Sequence, residues 1–459
     1  MTLLEKWLDI TGAWEGVFPR HRTALRAVRQ GLGALACVGR RTLTRIIWAN
    51  GGEQRGWSAE YFLHSRVNWE PQRLFAPVLK GALPLCPGRL VGVAVDDTKL
   101  HKTGRCIKQA FYQRDPLSPP FHPNLILGLR FLQASLLVPL HKRAAAGCRA
   151  LPIRFEESPC VKRPAKRAPE REWAAYRRQS KEQNLSAHFV AMAGRLRRSL
   201  DEAGGARKTL VLSADGSFCN RTVFSAPRDR TEIIARCRKD AVLCRPAPAG
   251  AGRVYGADKF SPERVRLDQD IPWRNAKIFY GGKKRVVRYK EVAPVLWQRG
   301  AKRLALRLFV VAPTPYRKRK NARIYYRNPA YLLTTSLTDR PGDLLQIYFD
   351  RWQIEVNHRE EKDTLGVGQA QLRNPTSVPR QPVLAVAAYS ALMLAAMLVF
   401  GHERTEAYAA LPKWRRKAQR PSCLDILTLL RKEMDEHPEL LEPLGIKTSG
   451  RDLAAAAAA

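Results

Sequence analysis

The feature that most constrains this chain is a pair of short apolar runs that each stop at a carboxylate. Residues 90–95 (LVGVAV) follow a Pro-Gly break and read as a buried strand that runs into Asp96, Asp97 and Thr98. Residues 209–214 (TLVLSA) read as a second strand, and it ends in Asp215 and Gly216. Adjacent carboxylates at the tip of a buried strand are costly unless they are paired, solvated or bound to a metal. Strand alternation sends Asp96 and Asp97 to opposite sides, so one of the two should face a site shared with Asp215. An Asp-Gly pair is also a common turn, in which Gly216 serves only the backbone.

A third carboxylate lies on residues 348–362, YFDRWQIEVNHREEK. Read as one helix, this stretch places Tyr348, Arg351, Glu355 and Lys362 near one face. A carboxylate set among cations and a phenol can hold a divalent metal if other carboxylates converge on it, and Arg, Lys and Tyr can contact phosphate oxygens. The plain alternative is a solvated face laced with i,i+4 pairs such as Glu355 with Arg359.

The spacing Tyr-x2-Arg-x3-Glu-x6-Lys resembles the Tyr-Arg-Glu-Lys signature of bacterial insertion-sequence transposases that use a DDE triad. The text around it is similar too, with YLLTTSLTD from Tyr331 as the preceding strand and LGVGQAQLR as the exit. The resemblance spans roughly residues 89–400. It implies an α/β fold: a ribonuclease-H-like mixed sheet flanked by helices, interrupted by a β-rich insertion, with a helical N-terminal domain. It implies Asp96, Asp215 and Glu355 as catalytic residues and ligands of two Mg²⁺ ions, for which Mn²⁺ can substitute. Asp97 is held as the alternative to Asp96. Tyr348, Arg351 and Lys362, with Lys99 and Lys102 in the basic loop after the first strand, are expected to contact DNA phosphates.

Composition agrees with a polyanionic partner. Eighty Lys and Arg against 41 Asp and Glu give a formal charge of +39, spread along the chain, so an extended DNA-contacting surface is expected over membrane lipid or RNA. The nine cysteines form no CxxC pair and no zinc spacing, which reads as reduced thiols in a cytosolic protein. Residues 383–400 carry no charge and are just long enough to span a bilayer. They are Ala-rich and solitary, and a buried core helix is the expectation, with no membrane contact.

Residues 1–88 read as helices and as a DNA-end-binding domain. Thr42 is an N-cap candidate there, and Arg40, Arg41 and Arg45, which cluster beside Gly39, are also expected to contact DNA phosphates. Either a helix-turn-helix or an ordinary three-helix unit fits. Asp215 lies 119 residues after Asp96, and Glu355 lies 140 after Asp215, so material must be inserted before the glutamate. The expected divisions are 89–250 for the first part of the core, 251–328 for a basic β-rich insertion, 329–403 for the rest of the core, and 404–459 for a helical tail. Together these features predict a transposase that cuts double-stranded DNA at element ends and joins the 3′-hydroxyl to target DNA. It is expected as a homodimer on paired ends, in the cytoplasm with the nucleoid. A domesticated DDE nuclease and a decayed DNA-binding protein are the alternatives.

Overall fold

Both apolar runs are strands, and they are neighbours in one sheet. The computed structural model describes residues 1–52, 56–115, 118–119, 121–140, 147–319, 321–415 and 418–446. Its strands in chain order are β1 (Leu90–His101), β2 (Phe111–Arg114), β3 (Leu125–Pro139), β4 (Cys148–Glu157), β5 (Thr209–Ala214), β6 (Thr231–Arg236) and β7 (Leu243–Pro246). There follow β8 (Tyr255–Phe260), β9 (Arg274–Tyr280), β10 (Lys283–Leu296), β11 (Ala305–Val311), β12 (Pro315–Arg317), β13 (Ile324–Tyr326) and β14 (Ala330–Thr334).

Strands β4, β3 and β1 lie side by side and antiparallel. On the other side of β1 come β5 and then β6, in parallel. Three antiparallel strands followed by two parallel to the first make the ribonuclease-H-like arrangement that the sequence predicts. The sheet does not stop there. Strands β14, β11 and β10 continue it beyond β6 by antiparallel steps, giving twelve strands in all among the described residues. Strands β8 to β11 of residues 251–328 are therefore hydrogen-bonded into the central sheet, and among the described strands of this region only β12 and β13 stand apart, as a two-stranded ribbon.

The uncharged segment becomes part of the helix Ser377–Phe400, and 83% of its most apolar 18-residue window is buried in the protein. Its alanines let other elements approach closely. Trp7 donates its indole N–H to the Ala388 carbonyl at 3.1 Å, and a Cβ on Gly31 would stand 3.3 Å from the Ala388 Cβ. The N-terminal helices Leu3–Gly12 and His21–Ala36 pack on this helix, and one continuous hydrophobic core runs through them and the sheet. Thr42 does cap the helix Leu43–Ala49, accepting from the Arg45 amide at 3.2 Å. The helical tail contributes Cys423–Glu436, while residues 447–459 lie outside the described residues.

The signature stretch is not one regular helix. Helix Pro341–Asp350 meets helix Trp352–Arg359 at Arg351, whose amide is shared between the Ile347 and Tyr348 carbonyls. The second helix then widens into a π turn over Glu360–Thr364. A π turn adds a residue to its loop and so shifts every later side chain off the 3.6-residue register.

Candidate active site

The register of β1 on β5 pairs Val95 with Ala214, so Asp96 and Asp215 follow side by side where that pairing stops. Strand β5 ends there, whereas β1 stays paired with β3 to His101, so Asp96, Asp97 and Lys99 lie within a strand and not at its tip or in a loop after it. Parallel strands place their carboxyl ends at one edge of the sheet, which is where open α/β sheets build sites. Asp215 is half-buried and caps the short turn Gly216–Phe218, its Oδ1 accepting from the Ser217 amide at 2.9 Å and the Ser217 hydroxyl at 2.6 Å. Its Oδ2 has no hydrogen-bond partner among the described residues.

Asp96 and Asp97 see different surroundings. Burial, followed by the Asp215 charge, pushes the Asp96 carboxyl up to about 7. Arg351 opposes that shift. Burial also raises Asp97, but the leading counter-charges there are Arg130 and Lys99. The Asp97 amide donates to Asp96 Oδ1 at 2.9 Å, leaving Asp96 Oδ2 for Arg351. Asp96 therefore shares an ion-pair partner with the signature helix, while Asp97 answers to cations on β3 and farther along β1.

Arg351 joins the helix to the sheet. One guanidinium nitrogen lies 3.5 Å from Asp96 Oδ2 and the other 3.3 Å from Glu355 Oε1. Burial raises the Glu355 carboxyl, Arg351 pulls it back, and Asp215 is near enough to raise it further. Tyr348 lies within the same field. Its phenol is raised by burial, and Arg351, Arg236 and Asp215 all act on it.

Lys362 points elsewhere, as the π turn requires. With Arg40, Lys99 and Lys102 it lines a basic groove of about 740 Å³ whose other walls include Gly104 and Arg373. Lys102 donates to the Gly368 carbonyl at 2.5 Å, and burial lowers its ammonium to about 8. Four of the eight expected phosphate contacts thus meet in one place, Tyr348 and Arg351 sit at the carboxylates, and two lie apart from both. Arg41 is buried and donates to the Ala34 and Gly39 carbonyls at 3.2 and 3.0 Å. Arg45 is half-buried on the following helix, close to Cys37.

The structure adds residues that sequence reasoning passed over. Gln133 stands opposite Asp96 in the β1–β3 register and donates to Glu361 Oε1 at 2.9 Å. Glu361 is 1% exposed, and burial pushes its carboxyl up to about 8. A polar residue inside the apolar stretch of β3 was the available signal. Arg236, one residue beyond the last β5–β6 pair, lies next to Asp215 in the same way.

Among the described residues no three Asp, Glu, His or Cys side chains are gathered closely enough to hold a metal ion. The guanidinium of Arg351 lies between two of the three carboxylates instead. The donor chemistry nonetheless fits a hard divalent cation: Asp96, Asp215 and Glu355 offer only oxygen, and Asp215 raises both of the others, a repulsion that bound positive charge would relieve.

The family model for DDE superfamily endonucleases matches residues 17–304. The chain belongs to that superfamily. The matched stretch contains Asp96 and Asp215 and ends before the helix of Glu355. No curated protein matches the chain. Among solved structures, the cryo-EM structure of the piggyBac transposase synaptic complex with hairpin DNA is similar at 12% identity. The alignment covers 99% of this chain and 82% of that one, with a TM-score of 0.34, and a score that low decides neither fold nor activity.

Proposed function

We propose that this superfamily member is the transposase of an insertion sequence, cutting double-stranded DNA at the element ends and joining the freed 3′-hydroxyl to target DNA. One observation carries the reading. Asp96, within β1, and Asp215, just after β5, lie side by side where the parallel pairing of these two strands stops, and Glu355 is tied to Asp96 through Arg351. Asp96, Asp215 and Glu355 would hold two Mg²⁺ ions, which supply Lewis-acid stabilisation of the attacking and leaving oxygens of an in-line displacement.

The other roles belong to the chain's own groups. Arg351 exchanges its carboxylates for a phosphate when DNA arrives, because a guanidinium pairs with phosphate in a bidentate manner. The Tyr348 phenol stays protonated and donates to the same backbone. Arg40, Lys99, Lys102 and Lys362 hold the strand that leaves the site along their groove. Water attacks first, and the resulting 3′-hydroxyl attacks second, so no covalent protein–DNA bond forms. The reading further takes the active species as a homodimer on paired ends, working at the nucleoid.

The test is a DNA fragment carrying the gene with its natural flanks, incubated with purified protein and Mg²⁺. Excision and joining to a second plasmid, both absent with Glu355→Gln, support the reading. Cutting without joining would instead identify a nuclease.

A further inference from the structure

The ribbon of β12 and β13 is built unlike the rest of the molecule. Residues 312–329 contain Arg317, Lys318, Arg319, Lys320, Arg323 and Arg327 and no Asp or Glu. The side chains of Arg317, Arg319 and Arg323 make no hydrogen bond or ion pair among the described residues, although Arg and Asp or Glu pair at many other places on this surface. Large apolar side chains stand in water beside them: Ile324 is 43% exposed and Tyr326 66%. A three-residue pairing cannot hold itself in water, so its shape must come from its base and its tip.

Its base is fixed to the candidate site. The Arg327 guanidinium lies 5.6 Å from the centre of the Tyr280 ring and 5.4 Å from that of Tyr316. Tyr280 packs edge-on against Phe349 at 5.0 Å, and Phe349 lies 6.0 Å from Tyr348. Tyr316 and Tyr325 pair across the ribbon at 5.7 Å, with Lys318 5.1 Å from the Tyr325 ring. At the tip, Asn321 adopts φ +66°, the left-handed conformation that Asn tolerates in tight turns.

We propose that this ribbon is a clamp for duplex DNA, lying in the major groove with its arginines on the flanking phosphates and Tyr326 against the sugars or base edges. A two-stranded ribbon has the width that the major groove admits. Its unpaired cations call for a polyanion, and its exposed aromatic groups call for a partner with apolar surface. An anionic membrane offers both as well. The chain of contacts from Arg327 to Tyr348 favours DNA, because whatever the ribbon holds is delivered to the carboxylates. The inference rests on the transposase reading only for which DNA is held; contact with a duplex needs no cleavage.

The test compares full-length protein with Arg317→Ala/Arg319→Ala/Arg323→Ala and with the matching Lys triple, measuring affinity for a duplex by fluorescence anisotropy over a range of salt. Loss of two to three phosphate contacts should lower the slope of log affinity against log salt by about 2–3 in the alanine triple, with the affinity down on the order of a hundredfold. The lysine triple should keep the slope, which separates charge from misfolding, and Tyr326→Ala should weaken binding with the slope unchanged. Unaltered affinity and slope in the alanine triple would overturn the clamp. So would an unaltered duplex affinity together with lost binding to phosphatidylserine vesicles, which would make the ribbon a membrane element. Wild-type protein that binds duplex through the ribbon yet never cuts element ends would sink the transposase reading and leave the clamp standing.

Discussion

The carboxylate site and the ribbon are both dense in charge, and they handle it in opposite ways. At the site, charge is answered from within the chain: Arg351 sits between Asp96 and Glu355, and Asp97 is opposed by Arg130 and Lys99. On the ribbon nothing answers Arg317, Arg319 or Arg323 among the described residues. A buried carboxylate without compensation would cost several kcal/mol, whereas a solvated guanidinium costs almost nothing until a partner comes. The first region has to be internally balanced for the protein to fold. The second is free to be specialised for something outside it.

The comparison breaks most sharply if the balanced site proves to have no chemistry. Asp96→Asn, Asp215→Asn and Glu355→Gln should each lower end cleavage by at least about a thousandfold, as expected for loss of several kcal/mol of metal-assisted stabilisation. Affinity for end DNA should change less than about twofold, since DNA is held by the cationic regions. Gel-based cleavage and anisotropy on the same preparations check both. Asp97→Asn should cost much less than Asp96→Asn, and the reverse order would exchange their roles.

Arg351 sharpens the contrast. With the guanidinium gone, Asp96 and Glu355 lose their internal counter-ion, so the DNA-free protein should bind Mn²⁺ about tenfold more tightly while cleaving more slowly. Electron paramagnetic resonance of free Mn²⁺ reads the first effect, and unchanged or weaker binding would mean that Arg351 is no stand-in for the metal. Acidity gives a related expectation. Because Asp96 is raised to about 7, its ionised form gains population as pH climbs through neutrality, so Mn²⁺ affinity should rise between about pH 6 and pH 8.

The smallest effect concerns Glu361. Its folded carboxyl, near 8, lies above the ordinary value of 4.5, so the folded state carries the extra proton. Its contribution to stability is full below the unfolded value and is lost as pH rises through the folded one. Relative to Glu361→Gln, the wild-type protein should lose roughly 1 kcal/mol per pH unit between about pH 5 and pH 8. Urea unfolding at a series of pH values measures it, and parallel curves for the two proteins would refute the buried neutral acid.

The strands that carry Asp96 and Asp215 were legible because burial writes itself as continuous apolar sequence. The same rule explains what was not legible. Strand β3 carries Arg130 and Gln133 within its apolar run, and no local signal accounts for Gln133, since the Glu361 carboxyl that accepts from it lies more than two hundred residues away. The break at Arg351 and the π turn left no local mark, because tertiary contacts select them: Glu361 turns inward to Gln133, and Lys362 turns out to the groove. Arg41 looked like surface charge, yet it satisfies two backbone carbonyls near the end of the preceding helix, a use of arginine that composition does not display. That β10 and β11 would extend the sheet, while β12 and β13 leave it, depends on pairing across distant strands and was likewise hidden.

The most direct test of the central claim is to locate the cation. Protein bound to end DNA would be loaded with Fe²⁺ in place of Mg²⁺ and treated with ascorbate and peroxide, so that radicals formed at the metal cut the nearby backbone. The account predicts cleavage near residues 96, 215 and 355 together, suppressed by excess Mg²⁺ and lost in Glu355→Gln. Cuts elsewhere, or at one of the three positions without the others, would contradict a single centre built from these carboxylates.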